Sequence, residues 1–276
     1  VSVSVSILSR GHKLAESPRF NKFSGELNWV DIETSHLYFY APSTGLAQKY
    51  FDTGITSVNP VSRNTYIFTS HNGVHQLERG KVRHLWLSSE PDGWRFNDSF
   101  FDGSSQLIVG TKSFEHDSPA KIGAYSSGKL SWHPERLSLA NGIARDYARG
   151  VMYISDSLSR RILRWSPPSR HQLINDSSSF DVFVGDLEGE PDGLAIDKSG
   201  NIWAALWGAG KISKFNVAGE HVHSWDLAAS NISSIAWADK DQTFLLVTTS
   251  MSGHDTTKSI PIRSGEVALM EFTKVR

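Results

Sequence analysis

Cysteine is absent from all 276 residues. That excludes disulfides, thiolate nucleophiles, zinc–cysteine sites and iron–sulfur ligation together. Any metal must then be held by oxygen or imidazole. The absence suits a reducing compartment, so a cytoplasmic protein is expected. Long hydrophobic runs are missing too: none approaches the ~20 residues of a membrane span. Residues 1–8 alternate Ser with Val or Ile, the pattern of a strand rather than the basic-then-apolar order of a leader. Neither sign of charge dominates, with 28 Lys and Arg against 29 Asp and Glu. Nothing in that balance favours capture of nucleic acid or an anionic membrane, and a small molecule is the expected partner. Motifs of serine hydrolases (Gly-x-Ser-x-Gly), zincins (His-Glu-x-x-His) and Walker-loop nucleotide sites are lacking. Helical periodicity is nearly absent as well.

Short runs rich in Val, Ile, Trp, Phe and Tyr alternate instead with Gly, Asp, Asn and Ser turns, an all-β pattern. The clearest unit is Glu190-Pro-Asp-Gly-Leu-Ala-Ile-Asp-Lys-Ser-Gly-Asn-Ile-Trp203: a polar tip, a short strand, an Asp-x-x-Gly turn and a second strand. Weaker copies recur along the chain. Their first strands end at Phe20, Val61, Phe101, Arg145, Ile196 and Trp237, and a turn former follows each except the last, where Ala238 stands. Four residues before each end lie Glu16, Ser57, Asn97, Asn141, Asp192 and Ser233, separated by 41, 40, 44, 51 and 41 residues. All six carry a side-chain oxygen, and Glu, Asn and Asp are residues that strands usually avoid.

A repeat of this length predicts a six-bladed β-propeller formed by one domain over residues 1–276. Each blade has four antiparallel strands, and the innermost lines a central channel. The N-terminal strand, from Ser2 to Leu8, closes the last blade beside the 266–272 strand, which removes an exposed edge. The axial oxygens then converge on a site for a hard divalent cation: Ca, Mg or Mn, with Zn also accepted. Without a cation, Glu16 and Asp192 would repel each other and lose hydration, so one would take up a proton. With so few protein ligands, water completes the shell and leaves room for a substrate oxygen.

Several segments resemble the SMP-30/gluconolactonase/luciferin-regenerating-enzyme family of six-bladed propellers, also called regucalcin-like lactonases. They are Ala15-Glu-Ser-Pro-Arg-Phe, Trp29-Val-Asp-Ile, Arg95-Phe-Asn-Asp, Gly110-Thr-Lys-Ser-Phe-Glu115, Ala140-Asn-Gly-Ile-Ala, Tyr153-Ile-Ser-Asp-Ser, Pro191-Asp-Gly-Leu-Ala-Ile-Asp and Asn201-Ile-Trp-Ala-Ala. The resemblance implies that Glu16, Asn141 and Asp192 hold one divalent metal ion, with Fe(II) added to the candidates. It also implies that Arg95, Asn97 and Glu115 contact a sugar lactone. The expected reaction is hydrolysis of that lactone to the sugar acid. Its base is Asp192, or a hydroxide held by the cation in its place. Departures are Glu16-Ser-Pro for the family's Glu-Gly-Pro, Asn97-Asp-Ser for Asn-Asp-Gly, and Gly110-Thr-Lys for Gly-Thr-Met, which puts a cation near the mouth. They bear on which substrate is used. Two alternatives stand beside this one: an organophosphate or ester hydrolase on the same site, and a calcium- or ligand-binding propeller without turnover. The protein is expected to be a monomer or weak homo-oligomer.

Other polar residues receive plainer readings. Asp31 and Asp156 occupy matching blade positions and are expected to bond turn amides, while Asp102, Asp146 and Asp197 are turn residues. Asp98 supports the site or caps a turn. His221 and His223 share the exposed face of an outer strand. His71 and His116 follow inner strands and could reach the mouth, and Trp207 is placed near the pocket.

Overall fold

The computed structural model of the chain describes residues 2–89, 93–103, 105–115, 118–166, 179–257 and 260–273. Every regular element among them is a strand. After β1 (Ser2–Arg10), blade 1 comprises β2 (Ala15–Asn21), β3 (Glu26–Asp31), β4 (His36–Ala41) and β5 (Gly45–Tyr50). Blade 2 is β6 (Ser57–Ser62), β7 (Thr65–Thr69), β8 (Gly73–Glu78) and β9 (Lys81–Leu87). Blade 3 is β10 (Trp94–Phe101), β11 (Leu107–Ser113), β12 (Ile122–Ser126) and β13 (Lys129–Trp132). Blade 4 is β14 (Ala140–Asp146), β15 (Val151–Asp156), β16 (Arg161–Trp165) and β17 (Phe180–Val184). Blade 5 is β18 (Glu190–Ile196), β19 (Ile202–Trp207), β20 (Lys211–Phe215) and β21 (His221–Asp226). Blade 6 takes β22 (Ile232–Trp237), β23 (Phe244–Thr249) and β24 (Glu266–Thr273), and β1 supplies its fourth strand.

All six sheets are antiparallel and four-stranded. Their first strands adjoin in sequence, β2 to β6, β6 to β10, β10 to β14, β14 to β18 and β18 to β22, and β22 returns to β2. The result is a closed six-bladed propeller. β1 pairs with β24 from Ser2 opposite Thr273 to Arg10 opposite Glu266. The last blade is therefore completed by the first strand of the chain, as the alternating Ser-Val pattern predicts.

Apolar packing lies between blades. Six buried clusters each join two neighbours; one, for example, sets Ile108 and Ile122 of blade 3 against Met152, Ile154 and Trp165 of blade 4. Burying apolar area between sheets is the dominant favourable contribution, so each blade needs both neighbours. The hairpins between first and second strands are closed by side chains. Asp102 accepts from Ser105 and Gln106 N–H, Asp146 from Ala148 and Arg149, and Asp197 from Ser199 and Asn201. Lys214, then Asn201 and Trp203, hold the Asp197 carboxyl down at about 2 despite its partial burial. In blade 6 the same work falls to Asp239, which accepts from Thr243 N–H. That one-residue offset explains why Ala238 breaks the pattern.

Candidate functional site

The axial residues owe their direction to breaks in the ladder. Five inner strands lose register with their partners there: between Glu16 and Arg19, Phe96 and Ser99, Ala140 and Ile143, Pro191 and Leu194, and Ile232 and Ser234. A bulge bends the strand and re-aims a side chain. Glu16, Asn97, Asn141 and Asp192 all line one cavity of about 670 Å³. Ser57 and Ser233 do not. Ser57 stays paired opposite Thr69 and spends its hydroxyl on Thr69 and Ser99. Ser233 bonds the Ala15 carbonyl and Thr248. The six predicted tips thus reduce to four at the site, contributed by blades 1, 3, 4 and 5.

Close approach of the inner strands explains the glycine that follows two of these residues. A Cβ on Gly142 would fall on the Asp192 carbonyl oxygen and 2.7 Å from the Leu194 nitrogen; one on Gly193 would lie 2.5 Å from the Ser234 Cα. Backbone from the neighbouring blade occupies the space a side chain needs. Ser155 and Ser157 pin the same stretch by donating 2.7 Å hydrogen bonds to the Asp192 and Pro191 carbonyls.

At the centre, Asp192 is buried and its Oδ1 has no hydrogen-bond partner. Among the described residues, Glu16 accepts only a 3.3 Å bond from the Ser17 N–H, its neighbour in sequence. Burial and the charge of Asp98 push the Glu16 carboxyl up to about 8. Burial, then Glu16, Asp98 and Glu190, raise Asp192 well above the usual carboxylate range. Asp98 is held by Arg19 at 3.1 Å and by the Ser99 N–H at 2.7 Å, so it adds negative potential from beside the site rather than capping a turn. Arg95 donates to the Asn97 Oδ1 at 2.7 Å and to the Phe96 carbonyl at 2.8 Å, and the Asn97 amide donates to the Ala140 carbonyl. Burial lowers Arg95 to about 10, against the pull of Glu16 and Asp192. Glu115, in the loop after β11, lines the mouth and accepts from the Ser118 hydroxyl at 2.9 Å.

A scan of known families finds the SMP-30/Gluconolactonase/LRE-like region over residues 14–251. The chain belongs to this family. Pentonolactonase XacC of Haloferax volcanii is 24% identical over 240 residues, covering 86% of this chain and 81% of its own length. Human regucalcin is 23% identical over 265 residues, covering 90% and 87%. Among solved structures, a luciferin-regenerating enzyme superposes with a TM-score of 0.86 at 19% identity over 98% of this chain and 96% of its own. A calcium-binding protein, regucalcin, from Agrobacterium tumefaciens gives 0.83 at 21% identity over 95% and 92%.

Against this family's Glu-Gly-Pro, the serine at position 17 has a physical account. Its φ is +50°, a region that favours glycine. The hydroxyl offsets the strain by accepting from the Val58 N–H at 3.0 Å, which ties blade 1 to blade 2. Asp31 and Asp156 act in the walls. The first accepts from the Lys13, Leu14 and Thr34 amides, the second from Ser138 and Leu139 and from Arg161. Each fixes the segment that carries Leu14, or Ser138 and Leu139, into the cavity. Trp207 lines the cavity as expected. His71 packs by Gly54 and is not among the lining residues, and His116 lies outside the described residues. His221 and His223 are exposed on the outermost strand of blade 5.

Glu190 is a lining residue that the register of axial oxygens does not reveal. The signal was alternation: Glu190 stands two residues before Asp192, as Arg95 does before Asn97, Leu14 before Glu16 and Leu139 before Asn141, and all four line the cavity. Period-two geometry puts such pairs on one face of a strand.

Proposed function

We propose that the protein hydrolyses a sugar lactone to the sugar acid with one divalent cation held by Glu16, Asn141 and Asp192. The observation that carries this reading is the pair of inward-facing carboxylates with almost no hydrogen-bond partners, on the floor of a cavity rimmed by Arg95, Asn97 and Glu115. Among the described residues, no three His, Cys, Asp or Glu side chains make a metal cluster. The donor set mixes two carboxylates with an amide oxygen, and the orphaned Asp192 Oδ1 is the atom a hard cation would satisfy. The residues therefore fit a divalent ion of the oxygen-seeking kind. The lactonase activity named for the Haloferax relative supports the reaction class.

When bound, such a cation polarises the ester carbonyl and balances the charge that develops on its oxygen. Asp192 is placed to take a proton from the attacking water as oxygen bonds to the carbonyl carbon. The ring C–O bond then breaks, and that proton passes to the departing ring oxygen, so that hydroxyl and acid leave as one molecule. Arg95 retains guanidinium N–H groups beyond those on Nη1, which go to Asn97 and Phe96, and these orient sugar oxygens. Glu115 accepts from sugar hydroxyls at the rim.

The test is a panel. Cation-stripped protein is given sugar lactones and a phosphotriester while Ca, Mg, Mn, Zn or Fe(II) is restored singly, and acid release is followed. Lactone turnover that depends on the cation is expected. Turnover of the phosphotriester alone, or cation uptake with no turnover, would each replace this reading.

A thermal measurement probes the same carboxylates. In cation-free protein, the folded-state value of Glu16 lies at about 8, above its ordinary 4.5. The native state therefore binds the extra proton between those values, and stability falls with rising pH across that window. The contribution is complete below about 4.5 and lost as the pH passes through about 8. A divalent cation replaces the proton, so the Tm increment it gives should grow between pH 5 and 8.5. At about 100 times Kd the linkage is about 2.7 kcal/mol, a shift of several degrees. An increment that is flat or falls with pH would contradict the assignment.

A further inference from the structure

Within the lactone-hydrolase reading above, we propose that the substrate carries a second anionic group, a carboxylate or phosphate remote from the ester, which Lys112 recognises beside Arg95. Arg95 and Lys112 stand directly opposite each other on β10 and β11, and both line the cavity. Side chains at such positions share one face of the sheet, and like charges there are destabilising. A protein keeps that arrangement at a cost unless an anion offsets it.

Lys112 has no hydrogen bond or ion pair among the described residues. Its chain is exposed at the cavity mouth. Five acidic groups lie around the two cations; Asp98 pairs with Arg19 at 3.1 Å, and among the described residues none forms an ion pair with Lys112. Glu16 and Asp192 lie on the floor and would be neutralised by the divalent ion. Glu115 accepts from Ser118. Glu190 faces across from β18 and interacts with Lys112 through space, but forms no ion pair with it. Opposite Glu190 on β19, the position matching Lys112 in blade 5 is Trp207. That wall sets a broad indole beside Glu190, while the Lys112 wall is cationic. An extended sugar lactone whose ester reaches the floor would present its far end to Lys112. A carboxylate or phosphate at that end meets two adjacent cations, whereas a neutral hydroxymethyl leaves Lys112 unmatched.

The experiment uses the cation-loaded protein and matched pairs: glucaro-1,4-lactone against glucono-1,4-lactone for the carboxylate, and 6-phosphoglucono-1,5-lactone against glucono-1,5-lactone for the phosphate. At least one anionic lactone should exceed its neutral partner roughly tenfold in kcat/KM, mainly through KM. Lys112→Met should bring that ratio to within about twofold of unity and Lys112→Arg should keep most of it, since the charge is what is read. Ratios near one in the unaltered protein, or a ratio unchanged in Lys112→Met, overturn the proposal. If no lactone is turned over, the hydrolytic reading fails on its own. Calorimetry with glucarate, 6-phosphogluconate and gluconate then decides the anion site. Tighter binding of a dianion, lost in Lys112→Met, upholds it; equal affinities overturn it.

Discussion

Asp192→Asn should lower lactone turnover roughly 10³-fold or more while the propeller still folds. Asparagine keeps the shape of the side chain and removes its charge. The variant therefore exchanges an anionic cation ligand for a neutral one and loses the proton acceptor, and such losses are worth orders of magnitude in sites of this kind. The same change should leave the cation-free protein at pH 8 firmer by a few degrees, because a buried charge facing Glu16 has gone. Added cation should then no longer raise Tm as it does in the unaltered protein. Circular dichroism, a melt with and without cation, and acid release measured together check all three. Turnover within tenfold of the starting protein would remove Asp192 from the reaction.

Gly142→Ala should damage fold and site at once. Its methyl has nowhere to go except into the backbone of blade 5 at Asp192 and Leu194, so β14 and β18 must part. Overpacking of this kind costs about 3 kcal/mol or more, roughly 6–10 °C in Tm. It should also weaken cation binding, since Asn141 and Asp192 flank the collision. Gly185→Ala is the control: its Cβ would meet only Val182, at 3.7 Å, and should change stability by less than about 0.5 kcal/mol. If Gly142→Ala melts like the control, the close approach of these strands is not what that glycine serves.

The architecture was legible because most blades repeat a local rule: a bulged polar residue, an apolar strand, a turn closed by an Asp or Asn side chain. Those features are written in consecutive residues, as in Asp192-Gly193 and the Asp197 turn. The role of the glycines after Asn141 and Asp192 was not legible, because what they avoid is backbone from another blade. Ser57 and Ser233 misled for a related reason. A hydroxyl in register with carboxylates looks equivalent in sequence, but blade 2 has no bulge at Ser57, and both hydroxyls are satisfied by buried neighbours. Lys112 was visible as a departure from the family pattern. Its confrontation with Arg95 needed the strand pairing, which joins residues 17 positions apart. Glu190 could have been found from alternation alone.

Among the described residues, the cavity takes its lining from blades 1, 3, 4 and 5 and none from blades 2 and 6. A ring with near-sixfold repetition thus carries its specificity on a single arc. Divergence toward new compounds need rewrite only the loops of that arc, above all those of blades 3 and 4. The opposite side is released from any duty toward the ligand and answers only to packing, so sequence drift there should run at a different tempo.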